Sequence, residues 1–299
     1  MELLICLLQT INILWFGHSY GQDCTEYLPE LAVRVGVQNL KVGRFVKSNC
    51  SLEEHYNYYL EDITSVASDN GTPRVYYSEC AYGKTRFTDA EKTVREVVQE
   101  TQWDYVVFQN SLENEGRYHT AQPYLNNLVS YVTQTQKDKF GKSPQIVWNM
   151  FWPISHLMED GSHKLCTERL SYYDNSSAKM WTAYIDATKE LVEDTGIQIV
   201  IPSGTAVVNA RATSVNSPDA YDLTRDGYHM SNGVGRYLAA CAVYQKLIAP
   251  LNGKSVLGNP WRVTKKALPV MDDKTAKILQ RCAVAAVEQP YQTSEITEK

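Results

Sequence analysis

Four short segments of the chain have the residue types and spacing for acyl-transfer chemistry. Gly17-His18-Ser19-Tyr20-Gly21 follows directly on the apolar run Ile11–Phe16. A serine at a strand-to-helix turn can expose its Oγ while the helix N-terminus favours negative charge beside it. Asp226-Gly227-Tyr228-His229 lies late in the chain. An acid three residues before a histidine on one turn reaches Nδ1, fixes the tautomer and leaves Nε2 free as a base. Gln109-Asn110-Ser111 follows the apolar run Tyr105–Phe108, and side-chain amides at a strand end can donate to a developing oxyanion. Ser48-Asn49-Cys50-Ser51 follows the run Leu40–Val46, where a main-chain N–H can supply a further donor. Read singly, each is an ordinary polar turn; a serine after the first strand matched with an Asp/His pair near the last is not.

The elements that must position these residues alternate. Strand-like runs at Ile11–Phe16, Leu40–Val46, Arg74–Cys80, Tyr105–Phe108, Gln145–Trp148 and Ile197–Ile201 are separated by helical patterns. Helices are expected over Thr25–Val35, Ser51–Ser65, Thr88–Thr101, Tyr124–Thr135, about Ala178 to Thr195, Gly233–Leu247 and Asp272–Val287. Ser51 with Glu54 three residues on reads as a capping box, and Thr88 or Asp89 as the cap of the fourth strand's preceding helix. Such alternation implies an α/β fold with a central parallel sheet covered on both faces, where sites form at the carboxyl ends of strands. An α/β-hydrolase is ruled out by position, because only 16 residues precede Gly17 and that fold needs several strands and an oxyanion loop upstream.

Composition narrows the function classes. The 299 residues are 43% hydrophobic and 21% charged, a globular balance. The net charge of −5 and the lack of a basic stripe exclude a nucleic-acid-binding role. No apolar run reaches the length of a membrane span. The seven cysteines show no metal-binding spacing and read as buried small hydrophobes. His156 and His163, on either side of Glu159 and Asp160, fit a loop better than a metal site, so neither metal nor cofactor is expected. The apolar start MELLICLLQTINILWF lacks a basic lead and a clear cleavage site. Residues 1–10 therefore read as the remnant of a leader, 11–250 as one hydrolase domain, and 251–299 as an extension packing on it, its last stretch, Gln289–Lys299, frayed.

In this order the four segments resemble the SGNH (GDSL-type) hydrolase superfamily. The closer likeness is to a bacterial SGNH-like subgroup known only as a domain of unknown function. That likeness is carried also by Ile201-Pro202-Ser203-Gly204-Thr205-Ala206 and Leu223-Thr224-Arg225 ahead of Asp226, and it spans roughly residues 11 to 248. It implies a three-layer α/β/α sandwich related to flavodoxin-like folds. It also implies Ser19 as nucleophile, His229 as base and Asp226 as its orienting acid, with no cofactor. The oxyanion hole it implies comes from the N–H groups of Ser19 and Asn49 and the side chain of Gln109 or Asn110. Three departures from the pattern stand out: His18 replaces Asp or Asn, Asn49 replaces the second-block Gly, and Gln109-Asn110 replaces G-x-N-D.

The activity this implies is serine esterase hydrolysis of carboxylic esters. The 20 tyrosines, and the aromatics near the strand ends, favour O-deacetylation of a carbohydrate, with His18, Tyr20, Trp152 and Tyr228 lining the substrate and Phe151-Trp152-Pro153 forming a wall. The alternatives are a lipase or thioesterase, an acyltransferase with the same triad, and a catalytically silent glycan-binding hydrolase fold. The resemblance implies a periplasmic or secreted location, with a cytoplasmic one as the alternative. The partner expected is a small-molecule or glycan ester.

Overall fold

β1 (Ile11–Gly17) is buried over its whole length. Its side chains alternate between two cores: Ile11, Ile13 and Trp15 face one, Leu14 and Phe16 the other. A strand apolar on both sides has to lie between two helical layers. The computed structural model, which describes residues 10–264 and 271–298, shows this arrangement.

In chain order β1 is followed by α1 (Ser19–Thr25), α2 (Leu28–Arg34), β2 (Leu40–Val46) and α3 (Leu52–Leu60). Then come β3 (Ser65–Ala67), β4 (Pro73–Val75), β5 (Tyr77–Cys80), β6 (Thr88–Ala90), α4 (Val94–Glu100) and β7 (Tyr105–Phe108). The second half runs α5 (Tyr124–Phe140), β8 (Gln145–Asn149), α6 (Lys164–Leu170), α7 (Ser177–Thr195), β9 (Ile199–Ile201), α8 (Ser203–Arg211), α9 (Val234–Val243), α10 (Ala249–Asn252) and α11 (Asp273–Glu288). The seven-stranded sheet has the order β6-β5-β2-β1-β7-β8-β9. Its five strands from β2 to β9 are parallel, with Phe16 opposite both Phe45 and Phe108. β5 and β6 add an antiparallel edge, and β3 and β4 form a separate two-stranded ribbon. Residues from α1, α2, α8, α9 and α11 pack on one face, and residues from α3, α4 and α5 on the other, giving three layers.

β1 lies between β2 and β7, so the connections out of it diverge to opposite sides. That switch point opens a crevice at the carboxyl end of β1. Ser19 follows β1, Asn49 follows β2, and Gln109-Asn110 follows β7, so three of the four segments meet at this edge.

Four expected elements differ. Arg74–Cys80 is not one strand, because Tyr76 separates β4 in the ribbon from β5 in the main sheet. Thr88–Ala90 is strand β6, paired with Tyr77–Glu79, and the helix begins at Val94. Its capping box is Thr93 with Glu96, a pair three residues apart that outcompetes Thr88 or Asp89 as the start. The helix expected over Thr25–Val35 begins at Leu28, after a break that ends α1 at Thr25. The described part of the Gln289–Lys299 stretch, residues 289–298, is tied down and not frayed: Ser294 N–H donates to Asn209 Oδ1 at 2.8 Å and Ser214 N–H to Glu298 Oε1 at 2.9 Å. The Ser51–Glu54 capping box is present. All six described cysteines are buried. The leader reading of residues 1–10 falls, except for residue 10, outside the described residues. No described helix is long and apolar enough to cross a membrane.

A polar ladder runs under α1 along the sheet's carboxyl edge. Trp15 Nε1–H donates to Gln109 Oε1 at 2.9 Å, Asn149 Nδ2 to the same oxygen at 3.3 Å, and Ser203 Oγ to Asn149 Oδ1 at 2.7 Å. It joins β1, the turn after β7, the end of β8 and the start of α8, and all four residues are buried. Gly17 and Gly21 admit it: a Cβ on Gly17 would lie 2.8 Å from Gln109 Cδ, and one on Gly21 2.5 Å from Trp15 Nε1. Close approach, not backbone conformation, is what demands glycine here. Gly21→Ala is expected to destabilise the protein by about 1–3 kcal/mol through overpacking against Trp15; chemical denaturation reads it, and an unchanged midpoint would refute the packing role.

Candidate active site

Ser19 is the first residue of α1 and half-buried. Its Oγ–H donates to His229 Nε2 at 2.8 Å. His229 Nδ1–H donates to Asp226 Oδ2 at 2.6 Å. Asp226 Oδ1 in turn accepts the main-chain N–H of His229 at 2.8 Å and of Tyr228 at 3.3 Å. One carboxylate therefore fixes both the ring and the backbone of the turn. Partial burial pushes the Asp226 pKa up, but the His229 ring and these N–H donors outweigh it and hold the carboxyl below its ordinary range. Asp226 stays ionised at neutral pH and can stabilise an imidazolium on His229. Serine, imidazole and carboxylate are thus linked across 210 residues of sequence.

His18 is buried beneath the turn. Its Nδ1 accepts the N–H of Tyr20 at 3.3 Å, capping α1, so its Nε2–H is the donor to the Asn110 carbonyl at 2.9 Å. Burial drives its pKa well below the ordinary 6.5, keeping the ring neutral as the cap requires. Asn110 N–H donates to the buried Glu115 Oε2 at 3.1 Å. Burial raises the Glu115 pKa well above its ordinary value, which favours the neutral acid. The chain Glu115–Asn110–His18 therefore ties the turn after β7 to the start of α1.

Asn49 has φ 47°, the left-handed conformation that glycine adopts freely and asparagine tolerates. That accounts for an asparagine where the SGNH pattern has glycine. Its Oδ1 accepts Leu112 N–H at 3.0 Å, and its Nδ2 donates to both Glu113 oxygens at 3.1 and 2.9 Å. The main-chain N–H groups of Ser19 and Asn49 have no acceptor among the described residues.

Several residues expected at the site stand elsewhere. Gln109 is sealed under Gly17 with its Oε1 in the ladder; its Nε2 is buried without an acceptor. Asn110 Nδ2 is committed to Thr120 Oγ1 at 3.1 Å. Neither side-chain amide is open to an oxyanion. His18, Tyr20 and Trp152 are fully buried, so they support the site from behind instead of lining a substrate. Tyr20 stacks on Trp152 with ring centroids 4.3 Å apart, and Trp152 Nε1–H donates to the Tyr228 carbonyl at 2.7 Å. Phe151 is buried in the same cluster, 5.0 Å from Tyr20, so the expected substrate wall is core. Tyr228 alone of the four expected lining residues is partly exposed, its ring 4.2 Å from that of His229.

Sequence reasoning missed the carboxylate that holds the two halves of the site together. Asp23 is fully buried one turn after Ser19. Its Oδ2 accepts Met230 N–H at 2.9 Å, and its Oδ1 meets Arg236 Nε at 2.6 Å and the Arg225 guanidinium at 3.3 Å. Arg225 and Met230 bracket the Asp226–His229 turn. Among the described residues no group of three or more His, Cys, Asp or Glu side chains could hold a metal ion.

Two predictions come from this geometry. Asp23→Ala leaves two arginines without their shared partner and is expected to cost about 3–5 kcal/mol. Calorimetric unfolding measures it, and a cost within 1 kcal/mol of zero, on the same scale, refutes the clamp. The second concerns acid. His18 and His55 are buried and neutral when folded, His55 with its pKa lowered to about 3, yet take protons in the unfolded chain below about 6.5. Stability contributed by the two therefore falls as pH drops below 6.5, by about 1.4 kcal/mol per pH unit each. Glu115, whose neutral form burial favours, opposes one of them above its ordinary 4.5. Unfolding free energy should thus decline from pH 6.5 to pH 5, and His55→Gln should lose its share of that slope; parallel slopes in the two proteins would refute it.

The family model described as Domain of unknown function (DUF4886) matches residues 12–284. Among solved structures, a DUF4886 family protein from Bacteroides uniformis is similar to this chain at 27% identity and a TM-score of 0.78, covering 96% of this chain and 98% of its own. A protein from Slackia heliotrinireducens, provisionally assigned as an SGNH hydrolase, aligns at 21% identity and a TM-score of 0.45, over 80% of this chain and 99% of its own. No curated protein matches. With the family model covering nearly all of the three-layer fold and both ends of its serine–histidine–aspartate chain, this protein belongs to the DUF4886 family.

Proposed function

We propose that this protein is a serine esterase that hydrolyses carboxylic esters by acyl transfer, and that its substrate is an O-acetylated carbohydrate. The observation that carries the reading is the hydrogen-bonded chain Ser19–His229–Asp226, with distances of 2.8 and 2.6 Å, at the switch point of a parallel sheet. His229 Nε2 takes the Ser19 proton as Oγ bonds to the ester carbonyl carbon. Asp226 orients the ring and stabilises the imidazolium. The negative charge on the carbonyl oxygen falls to the N–H groups of Ser19 and Asn49, each of which lacks another acceptor. The C–O bond then breaks, the leaving alcohol takes the proton from His229, and an acyl-serine remains. Water, deprotonated by His229, releases the acid and restores Ser19. The carbohydrate part is supported by Tyr228, a half-buried ring beside His229, and by the polar cleft next to it.

Acetate release from 4-nitrophenyl acetate and from peracetylated xylose tests this. Wild type is expected to turn over both, and Ser19→Ala and His229→Ala to lose about three or more orders of magnitude in kcat. An inert wild type, or variants that keep the rate, would overturn the esterase reading. Turnover of 4-nitrophenyl acetate without release from the acetylated sugar would overturn only the carbohydrate assignment.

A further inference from the structure

An open cleft of about 530 Å3 is lined by Asn49, Glu113, Glu168, Arg169, Ser171 and Tyr172. Two contacts join it to the site. Asn49, whose N–H faces the proposed oxyanion role, forms part of its lining. Arg169 sits 5.8 Å from the centroid of the Tyr228 ring, which packs against His229.

The lining is polar, and its groups hold one another in place. Glu113 accepts both bonds from Asn49 Nδ2, accepts Ser111 Oγ–H at 3.3 Å and pairs with Arg169 Nε at 3.4 Å. Arg169 retains further N–H donors beyond that single contact. Tyr172 is 57% exposed on the rim, with the Arg117 guanidinium 4.7 Å from its ring centroid. Polar donors and acceptors lining the cleft, with an exposed aromatic at the edge, suit a ring bearing several hydroxyls.

Charge selects among such rings. Two carboxylates, Glu113 and Glu168, line the cleft against one guanidinium that is already paired with Glu113, while Lys164 lies 3.8 Å from Glu168 and the Arg117 guanidinium sits at the rim. An anionic ring would have to displace Glu113 from Arg169 and meet Glu168 as a like charge. An uncharged ring incurs neither cost. We propose that the cleft is the subsite for the alcohol half of the ester, and that it takes an uncharged, polyhydroxylated sugar ring and rejects acidic sugars. The proposal rests on the esterase reading for its placement, since the ring held here is the one whose ester reaches Ser19.

Binding is read without turnover. Ser19→Ala protein is titrated calorimetrically with xylotriose, a neutral probe, and with trigalacturonate, an acidic one. Xylotriose is expected to bind at millimolar or lower concentration and trigalacturonate at least about tenfold more weakly. Tyr172→Ala, added to Ser19→Ala, is expected to weaken xylotriose by about tenfold, and a circular dichroism melt checks that the substitution of this exposed residue leaves the fold intact. Arg169→Lys, which keeps the charge and loses the fork, should weaken it as well. Tighter binding of trigalacturonate, undetectable binding of xylotriose, or indifference to both substitutions would overturn the proposal. Because the nucleophile is absent from this assay, an inert wild-type enzyme sinks the esterase reading without touching this measurement, and a failed titration sinks the subsite without touching acetate release.

Discussion

One buried carboxylate holds the two ends of the chain in register. Ser19 starts the first helix, and His229 lies on a turn near the end of the sheet's sequence, so nothing local keeps them together. Asp23 does so from below: it is on the same short helix as Ser19, and it binds Arg225, Met230 N–H and Arg236 on the far segment. A buried carboxylate is unfavourable unless paired and fully hydrogen-bonded. Its stabilisation is therefore conditional on the His229 turn being in place, which makes the clamp a device for geometry as much as for stability. In the proposed reaction a displacement of about 1 Å between nucleophile and base would cost orders of magnitude in rate, and there the rigidity of the link matters more than its net energy.

The same economy governs the sheet edge. The polar ladder from Trp15 to Ser203 and the chain from Glu115 through Asn110 to His18 fix the turns after β1, β7 and β8 to one another. In a low-dielectric interior such networks stabilise only when nearly every member is satisfied. His18 fits because it is neutral and bonded at both ring nitrogens; a carboxylate in its place could not donate to the Asn110 carbonyl. The substitution that looks anomalous in the motif is consistent with the turn it caps.

What was legible in the sequence was local. The Ser19 turn reads from a strand, two glycines and a helix start; the Asp226–His229 pair reads from a three-residue spacing; the Ser51 capping box reads the same way. What was not legible depends on partners far along the chain. Asp23 bonds residues more than 200 positions away, and Arg169 and Glu113 meet 56 positions apart, with no motif around any of them. The boundary at Thr88 is hidden because a short edge strand runs into a helix whose own cap, Thr93, lies five residues later. The tail is not legible because its polarity, which fits a frayed end equally well, is used in bonds to α8 and to the loop after it.

The aromatic residues show why composition alone misplaces a binding surface. Rings near strand ends can face a ligand or brace the loops that do, and the two have the same sequence appearance. Here Tyr20, Phe151 and Trp152 brace: stacked and buried, they present the Trp152 N–H to the Tyr228 carbonyl and so set the height of the His229 turn. The proposed sugar subsite therefore rests on the polar wall of Asn49, Glu113 and Arg169 and on the exposed rim ring of Tyr172, not on these buried rings. A wall of this kind reads hydroxyl positions and charge, and discrimination by unmade hydrogen bonds is steeper than discrimination by apolar fit. On the proposed reading, selectivity lies in the pattern of hydroxyls on the alcohol half of the ester, with the acyl half held chiefly by its carbonyl oxygen.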